Sequence, residues 1–360
     1  MAYHLYLCQC KNSQNSHHKM MQLRVILILF LTVFFCFNSV VAQRAPTKKE
    51  RKELKKQKKR DKLTNIEFIE NKFSFALKYK AQTALWRIKD KVGDAQTVNY
   101  IPNVLGTAGG QISIKGIAIS YLHKLPVSKT RQVKFGNTEY QVLYLGLQSR
   151  MIGVNFYYTH RKGFYLDKPD RYDSTWVSGD NFPHRPDLKV SSLGFKTHLV
   201  FNKRFSIKAA FSQTERQKTS AGSFMITFGD HFMAIESDSS LIPASEQTGF
   251  GAFSNFSQGN FNTFYGAAGI GFSLVKGNFN FTPILLLGAG IQAQFYSYDI
   301  ENKTGLKIPL YFQYRNSIGI NGEDVFARLI YSVEYNSVPF KIARMEMYYM
   351  SLEMCLGFRL

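Results

Sequence analysis

The chain has 360 residues, enough for one large or two ordinary domains, and at 45 % apolar it can bury a sizeable core. Its formal charge of +21 is unevenly placed: residues 44–62 hold eleven Lys/Arg against three acids, and the +10 left on residues beyond 62 is spread too thinly, with no accompanying motif, for a nucleic-acid footprint. Aromatic residues make up 15 %, with 20 tyrosines and 31 phenylalanines, a load that suits side chains set at an apolar–aqueous boundary and equally an aromatic-rich soluble β domain.

Residues 23–37 read LRVILILFLTVFFCF, with Arg24 near the start and Val40, Val41 and Ala42 beyond the end, the layout of a secretory signal peptide. Cleavage is expected after Ala42, and Met20 or Met21 is a more natural start than Met1, so residues 1–42 are taken as an upstream extension plus signal peptide. The other reading is an inner-membrane anchor on a β protein, because the positive charge that follows tends to stay cytoplasmic. The apolar run of 15 residues is short of the roughly 20 that a spanning helix needs.

Cys8, Cys10 and Cys36 precede the expected cleavage site, which leaves Cys355 alone and no intrachain disulfide. Cys355 reads as a small buried side chain, since no neighbouring His or helix N-terminus lowers its pKa. Residues 43–70 are taken as a basic periplasmic tail without an apolar stripe. Anionic lipid headgroups or cell-wall polymer are its expected partners on charge alone.

Residues 71–360 change to period two. Ile152, Val154, Phe156 and Tyr158 alternate with Gly153, Asn155, Thr159 and Arg161. Leu193, Phe195, Leu199 and Phe201 alternate with Lys196, His198 and Asn202, and Leu352, Met354, Leu356 and Phe358 with Ser351, Glu353, Gly357 and Arg359. Alternation alone fits a soluble sandwich or a barrel with a polar lumen. The export signal, the aromatic load and the apolar last strand favour a closed antiparallel β-barrel in the outer membrane of a Gram-negative bacterium, because a sheet in lipid must close to satisfy every edge group. Outer-membrane lipid is then its solvent, and the C-terminal strand the segment that barrel-assembly machinery recognises.

Forward from residue 72, crossings are expected at 72–89, 98–114, 116–124, 138–148, 151–162 and 189–202; backward from 360, at 345–360, 325–335, 305–319, 279–298 and 262–275. Single-chain barrels normally have an even number of strands. Residues 205–235 must therefore cross an odd number of times, and one long strand with a bulge at 213–222 gives about twelve strands. Two crossings there, with another hidden in 249–256, give fourteen.

At this segment the chain resembles a known family. Residues 201–206 (FNKRFS), 209–211 (AAF), 214–217 (TERQ), 220–223 (SAGS) and 237–243 (SDSSLIP) are similar to the central signature of an outer-membrane family of the Bacteroidota known only as domain of unknown function 4421. Tyr100-Ile101-Pro102-Asn103, Lys115-Gly116 with Ser120-Tyr121, residues 162–166 (KGFYL) and Arg185-Pro186-Asp187 resemble its flanking motifs, over about residues 71–360. The resemblance implies a barrel and transfers no catalytic residue.

For chemistry, His160, His184, His198 and His231 stand among many serines, but without GxSxG or a comparable spacing for an outer-membrane hydrolase of lipase or protease type. His160 and His198, if both inward, are two metal ligands without a third, so no metal and no cofactor is expected. The densest polar cluster is Thr214, Glu215, Arg216 and Gln217, with Lys218 and Ser220 beside it. Placed on the barrel wall, it reads as a polar binding or gating site, or as a plugging ion-pair network. The loops 163–187 (Asp170, Asp173, Trp176, Asp180) and 236–261 (Glu236, Asp238, Glu246) are long enough to bind something outside. The function expected is non-enzymatic, a small channel or a binding and structural barrel, with the hydrolase as its rival.

Overall fold

A computed structural model describes residues 65–69, 73–91, 97–114, 116–149, 151–298 and 301–360. The expected signal peptide or anchor and most of the basic tail lie outside these residues. In chain order the strands are β1 (Ile66–Phe68), β2 (Ser74–Asp90), β3 (Thr97–Ile101), β4 (Gly106–Ile114), β5 (Ile117–Lys124), β6 (Glu139–Gln148), β7 (Ile152–Leu166) and β8 (His184–Val200). There follow β9 (Glu215–Gln217), β10 (Ala221–Glu236), β11 (Phe256–Lys276), β12 (Phe279–Tyr298), β13 (Glu301–Lys307), β14 (Leu310–Asn321), β15 (Val325–Pro339) and β16 (Ala343–Arg359). Short helices are α1 (Lys129–Phe135), α2 (Ile207–Phe211) and α3 (Gln247–Phe250).

Twelve of the strands form one closed antiparallel ring: β2, β4 to β8, β10 to β12 and β14 to β16, shut by seventeen paired positions between β16 and β2 and by the β11–β12 hairpin. β3 and β13 are short additions, one on the end of β2 and β7, the other on β12. The expected crossing 98–114 is broken after Ile101, where Pro102 cannot donate to a ladder, and 305–319 is broken at Pro309. Twelve strands were the smaller of the two expected counts.

The two faces differ as period two requires. On β16, Leu352, Met354, Leu356 and Phe358 are 42 to 58 % exposed, while Cys355 and Arg359 are buried inside. Leu287, Ile291 and Phe295 on β12, Ile270, Phe272 and Leu274 on β11, and Ile112, Ile117 and Ile119 on β4 and β5 continue the apolar exterior. Such a band, too large for a surface in water, is what a barrel presents to hydrocarbon. Among the described residues no helix is long and apolar enough to cross a membrane, and this says nothing of strands.

One end of the barrel carries short connections, at Gly116, between β6 and β7, at Gly277 and at 322–324; the other carries the loops. Gly116 (φ 93°) and Gly163 (φ 90°) are fixed by backbone geometry: a Cβ on either sits 2.2 Å from a carbonyl oxygen, of Gln148 and Asn137 respectively. Gly163 is the bulge residue where the β7–β8 register slips.

The expectation of one long bulged strand over 205–235 is overturned. Only β10 belongs to the wall; residues 205–217 turn into the barrel as α2 followed by β9, which pairs with β1 and not with the ring. The apolar run Phe205, Ile207, Ala209, Ala210 and Phe211 reads as alternation, yet Ile207, Ala210 and Phe211 also stand at the i, i+3, i+4 spacing of one helical face, and a short run does not separate the two. Ser206 caps α2 by accepting from the Ala209 N–H at 3.0 Å. Residues 66–68, which a boundary at 70 puts in the tail, are the strand that pairs with Glu215 to Gln217.

Candidate functional site

The lumen is closed at the turn end by residues 205–217. Phe205, Ile207, Ala210 and Phe211 pack on inward side chains of six wall strands, among them Val200, Met225, Ile284 and Ile330. The backbone carbonyls that a short helix leaves free need donors, and the wall supplies them. Arg328 donates to Ala209 and Ala210, Ser317 Oγ to Ala210 at 2.9 Å, and Asn321 Nδ2 to Glu215 at 3.0 Å. Cys355 is inward and buried against Ala76 and Phe326.

The predicted wall cluster therefore sits on this plug. Glu215 is buried, accepts from Ser206 Oγ at 2.5 Å and lies 3.6 Å from Lys208 Nζ. Gln217 is also buried; its side chain accepts from the Ser206 N–H and donates to the Arg204 and Thr219 carbonyls. Arg216 turns to Glu67 on β1, with Glu323 at 3.6 Å, and Thr214 Oγ1 is 3.3 Å from Ser212 Oγ. Placement on the wall is corrected: the four residues lie on the plug, where Glu215 and Gln217 bond back to residues 204–208 and Arg216 reaches β1.

The loop end is closed by apolar packing. Leu241, Ile242, Phe250 and Phe253, from the loop between β10 and β11, fill the mouth against Trp86, Tyr100, Phe164, Leu188 and Phe340. Arg185 pins this cap: it grips Asp187 with two hydrogen bonds (2.9 and 2.8 Å) and donates to the carbonyls of Ser240 (2.7 Å) and Ser239 (3.0 Å), while Asp187 accepts from the Asp238 N–H. Tyr100 donates to the Leu241 carbonyl. In the neighbouring loop, burial pushes the Tyr172 hydroxyl up to about 12, so it stays a neutral donor to the Thr97 carbonyl. The acids of that loop serve its own turns: Asp173 accepts from Thr175, which holds its carboxyl below the usual range, and Asp180 accepts from the Val177 N–H.

Between plug and cap lies a cavity of about 280 Å³. Phe211 and Ser212 form its floor and the wall lines the rest. Five cationic side chains reach it, Lys78, Lys80, Arg161, Lys196 and Arg315, against the carboxylates Glu334 and Glu353. Lys78 pairs with Glu353 at 3.0 Å and Lys196 with Glu334 at 2.9 Å. Arg161 lies over the Tyr140 ring (4.6 Å) and the Tyr349 ring (5.3 Å), Arg315 over Phe211 (3.9 Å), and Lys80 faces Tyr144 (5.6 Å).

The histidines divide between the faces. His198, whose Nδ1 is 2.7 Å from Thr227 Oγ1, and His231, whose Nδ1 is 2.7 Å from Tyr157 OH, are inward. His160 shares the outward phase of Tyr158, with its Nδ1 2.9 Å from Ser191 Oγ, so the expected inward His160–His198 pair does not form. His184 is exposed at the loop end beside the Lys134 carbonyl. Among the described residues no three His, Cys, Asp or Glu side chains come together as a metal site.

The inward phase of Asn155, Thr159, Arg161, Lys196 and His198 is legible in the alternation. Its convergence with Lys80 and Arg315 is not, because those residues are brought together only by closure of the ring. The signal that could have raised Lys80 is its phase opposite the exposed Leu77 and Tyr79 on β2.

The family described as Domain of unknown function (DUF4421) matches residues 59–359. The chain belongs to this family. No curated protein matches the DUF4421 chain. Its barrel is similar to the outer membrane protease OmpT of Escherichia coli, at 9 % identity over 81 % of this chain and 98 % of that one, with a TM-score of 0.41. It is also similar to the translocator domain of the autotransporter NalP of Neisseria meningitidis (10 % identity, 80 and 88 % covered, TM-score 0.33) and to the P. putida toluene transporter TodX (8 %, 81 and 90 %, 0.26). Likenesses of this size carry no argument about what DUF4421 barrels do.

Proposed function

We propose that this chain is an integral barrel of a bacterial outer membrane that works as a closed, non-enzymatic binding and structural barrel. The observation that carries the reading is occupation of the lumen at both ends, by 205–217 at one and by the cap with Phe250 and Phe253 at the other. The apolar exterior supports membrane insertion. The last strand, apolar outward, is the segment proposed for recognition by assembly machinery, and the basic tail for anionic headgroups or cell wall. Purified protein in planar bilayers is expected to show no steady conductance; a persistent open-channel current would overturn the closed reading.

One contact favours a hydrolase as the second reading. Ser191 and His160 touch on the outer face, on adjacent strands, and Gln141 is His160's cross-strand neighbour, a serine–histidine–amide row facing lipid. Ser191→Ala tests it on phospholipid vesicles: loss of fatty-acid release supports it, and equal release, or none from either protein, removes it.

A further inference from the structure

The cavity between plug and cap has three more cationic side chains than carboxylates, and the surplus is locatable. With Lys78 and Lys196 matched by Glu353 and Glu334, the unmatched cations are Lys80, Arg161 and Arg315, none of which has a carboxylate within ion-pair reach among the described residues. A charge held away from bulk water by protein at both ends is unfavourable unless an opposite charge meets it. Glu353 also faces Lys80 and Arg315, and Glu334 faces Arg315, but each is already paired with a lysine, so two negative charges in the lining meet five positive ones.

The uncharged groups around the surplus point the same way. Ser192 is 4 % exposed and lines the cavity with an Oγ that has no hydrogen-bond partner in the protein, and the same holds for His231 Nε2. When Tyr157 donates to His231 Nδ1, Nε2 carries the proton and is a second buried donor without a protein partner, on a side chain that lines the cavity. Arg161 lies against the rings of Tyr140 and Tyr349 and donates from Nη2 to Tyr140 OH (3.3 Å) and from Nη1 to Thr159 Oγ1 (3.5 Å), long bonds to neutral hydroxyls that hold the guanidinium and leave its charge and remaining N–H groups for an oxyanion.

From this surplus and these donors we infer that the lumen holds a small, multiply charged oxyanion, of the phosphate or polycarboxylate class, bound by Lys80, Arg161 and Arg315 with Ser192 and His231 as neutral donors. The inference rests on the closed-barrel reading and names the ligand chemistry of that barrel. A cavity of about 280 Å³ admits a group the size of pyrophosphate or citrate and excludes a polymer. Neutralising the surplus also accounts for how so many cations share one lumen without a matching set of acids. The plug is part of the site through its floor, since Phe211 is the surface on which Arg315 lies.

Because both ends are closed, the full chain is refolded into detergent in the presence of inorganic pyrophosphate, or in parallel of citrate, and free anion is removed by gel filtration. About one retained anion per folded barrel is expected in at least one arm, with sodium chloride at matched ionic strength giving none of the accompanying rise in unfolding temperature. Which arm is retained decides between the phosphoryl and the carboxylate form. Arg161→Gln, Arg315→Gln and Lys80→Gln are each expected to weaken retention about tenfold or more, and Lys276→Gln, at a distant turn, to leave it unchanged. Folding of every variant is read from its heat-modifiable gel migration, and Arg161→Lys, which keeps the charge, stands in if Arg161→Gln does not fold. Retention of neither anion, or retention indifferent to all three substitutions, overturns the inference. Conductance recorded on the same preparation separates the two failures: a closed barrel that retains nothing sinks the ligand alone, and an open one sinks the reading beneath it.

Discussion

Arg359 on β16 donates from both Nε (3.0 Å) and Nη2 (2.8 Å) to the carbonyl oxygen of Gln213, a residue held in the left-handed region at φ 55°. The same guanidinium reaches the Gly322 and Glu323 carbonyls and Asn321 Oδ1, so one side chain joins the last strand, the β14–β15 turn and the plug. Arg359→Gln takes the donor from two buried acceptors, the Gln213 carbonyl and Asn321 Oδ1, at roughly 1 to 3 kcal/mol for each one left unpaired, while the Gly322 and Glu323 carbonyls lie nearer solvent. Thermal unfolding in detergent is expected to shift down by an amount corresponding to about 3 kcal/mol, with Arg359→Lys recovering only part, because an ammonium lacks the planar fork. An unchanged midpoint in Arg359→Gln would mean that the plug is held without this contact, by its apolar packing and the donors Arg328, Ser317 and Asn321.

At the other end Arg185 does the equivalent for the cap. Arg185→Ala takes the donor from the Ser240 carbonyl and leaves the Ser239 carbonyl with Ser237 Oγ alone and the Asp187 carboxylate with the Asp238 N–H. A loss of roughly 1.5 kcal/mol in local stability is expected, which raises the open population of the loop about tenfold. Limited proteolysis reads this directly: cleavage within 237–255 accelerates by about that factor, while the barrel core stays intact.

The exterior gives a test of what surrounds it. Leu287 is 59 % exposed near the middle of β12. In water an exposed Leu→Arg change stays within about 0.5 kcal/mol, whereas at the midplane of a bilayer it costs about 2 to 4 kcal/mol. Denaturant unfolding of Leu287→Arg from phospholipid vesicles is expected to show the larger loss. A negligible change there would contradict the transmembrane assignment.

Gly163 tests the backbone. Alanine there must hold φ near 90° and place its Cβ 2.2 Å from the Asn137 carbonyl, so the β5–β6 loop has to shift. Gly163→Ala is expected to cost about 1 to 3 kcal/mol, seen as a lower unfolding midpoint. Gly179, also at positive φ (119°) but with nothing near its Cβ, is expected to lose less on the same change, the dihedral strain alone.

Much of this architecture is present in the order of residues. Alternation in segments such as 152–161 and 352–358 sets the inward and outward phase of the wall, and the parity of long and short connections allows twelve strands or fourteen, of which the ring has twelve. The side chains that line the lumen were therefore identifiable strand by strand. Their neighbours were not: period two states which face a residue takes, while ring closure decides that Lys80, Arg161 and Arg315, from β2, β7 and β14, share one cavity. The central segment shows the other limit. Phe205 to Phe211 is too short for its apolar spacing to tell strand from helix, and what settles the choice is the row of wall donors, Arg328, Arg359, Ser317 and Asn321, that satisfies a turned-in backbone and would be left buried and unpaired by a straight one.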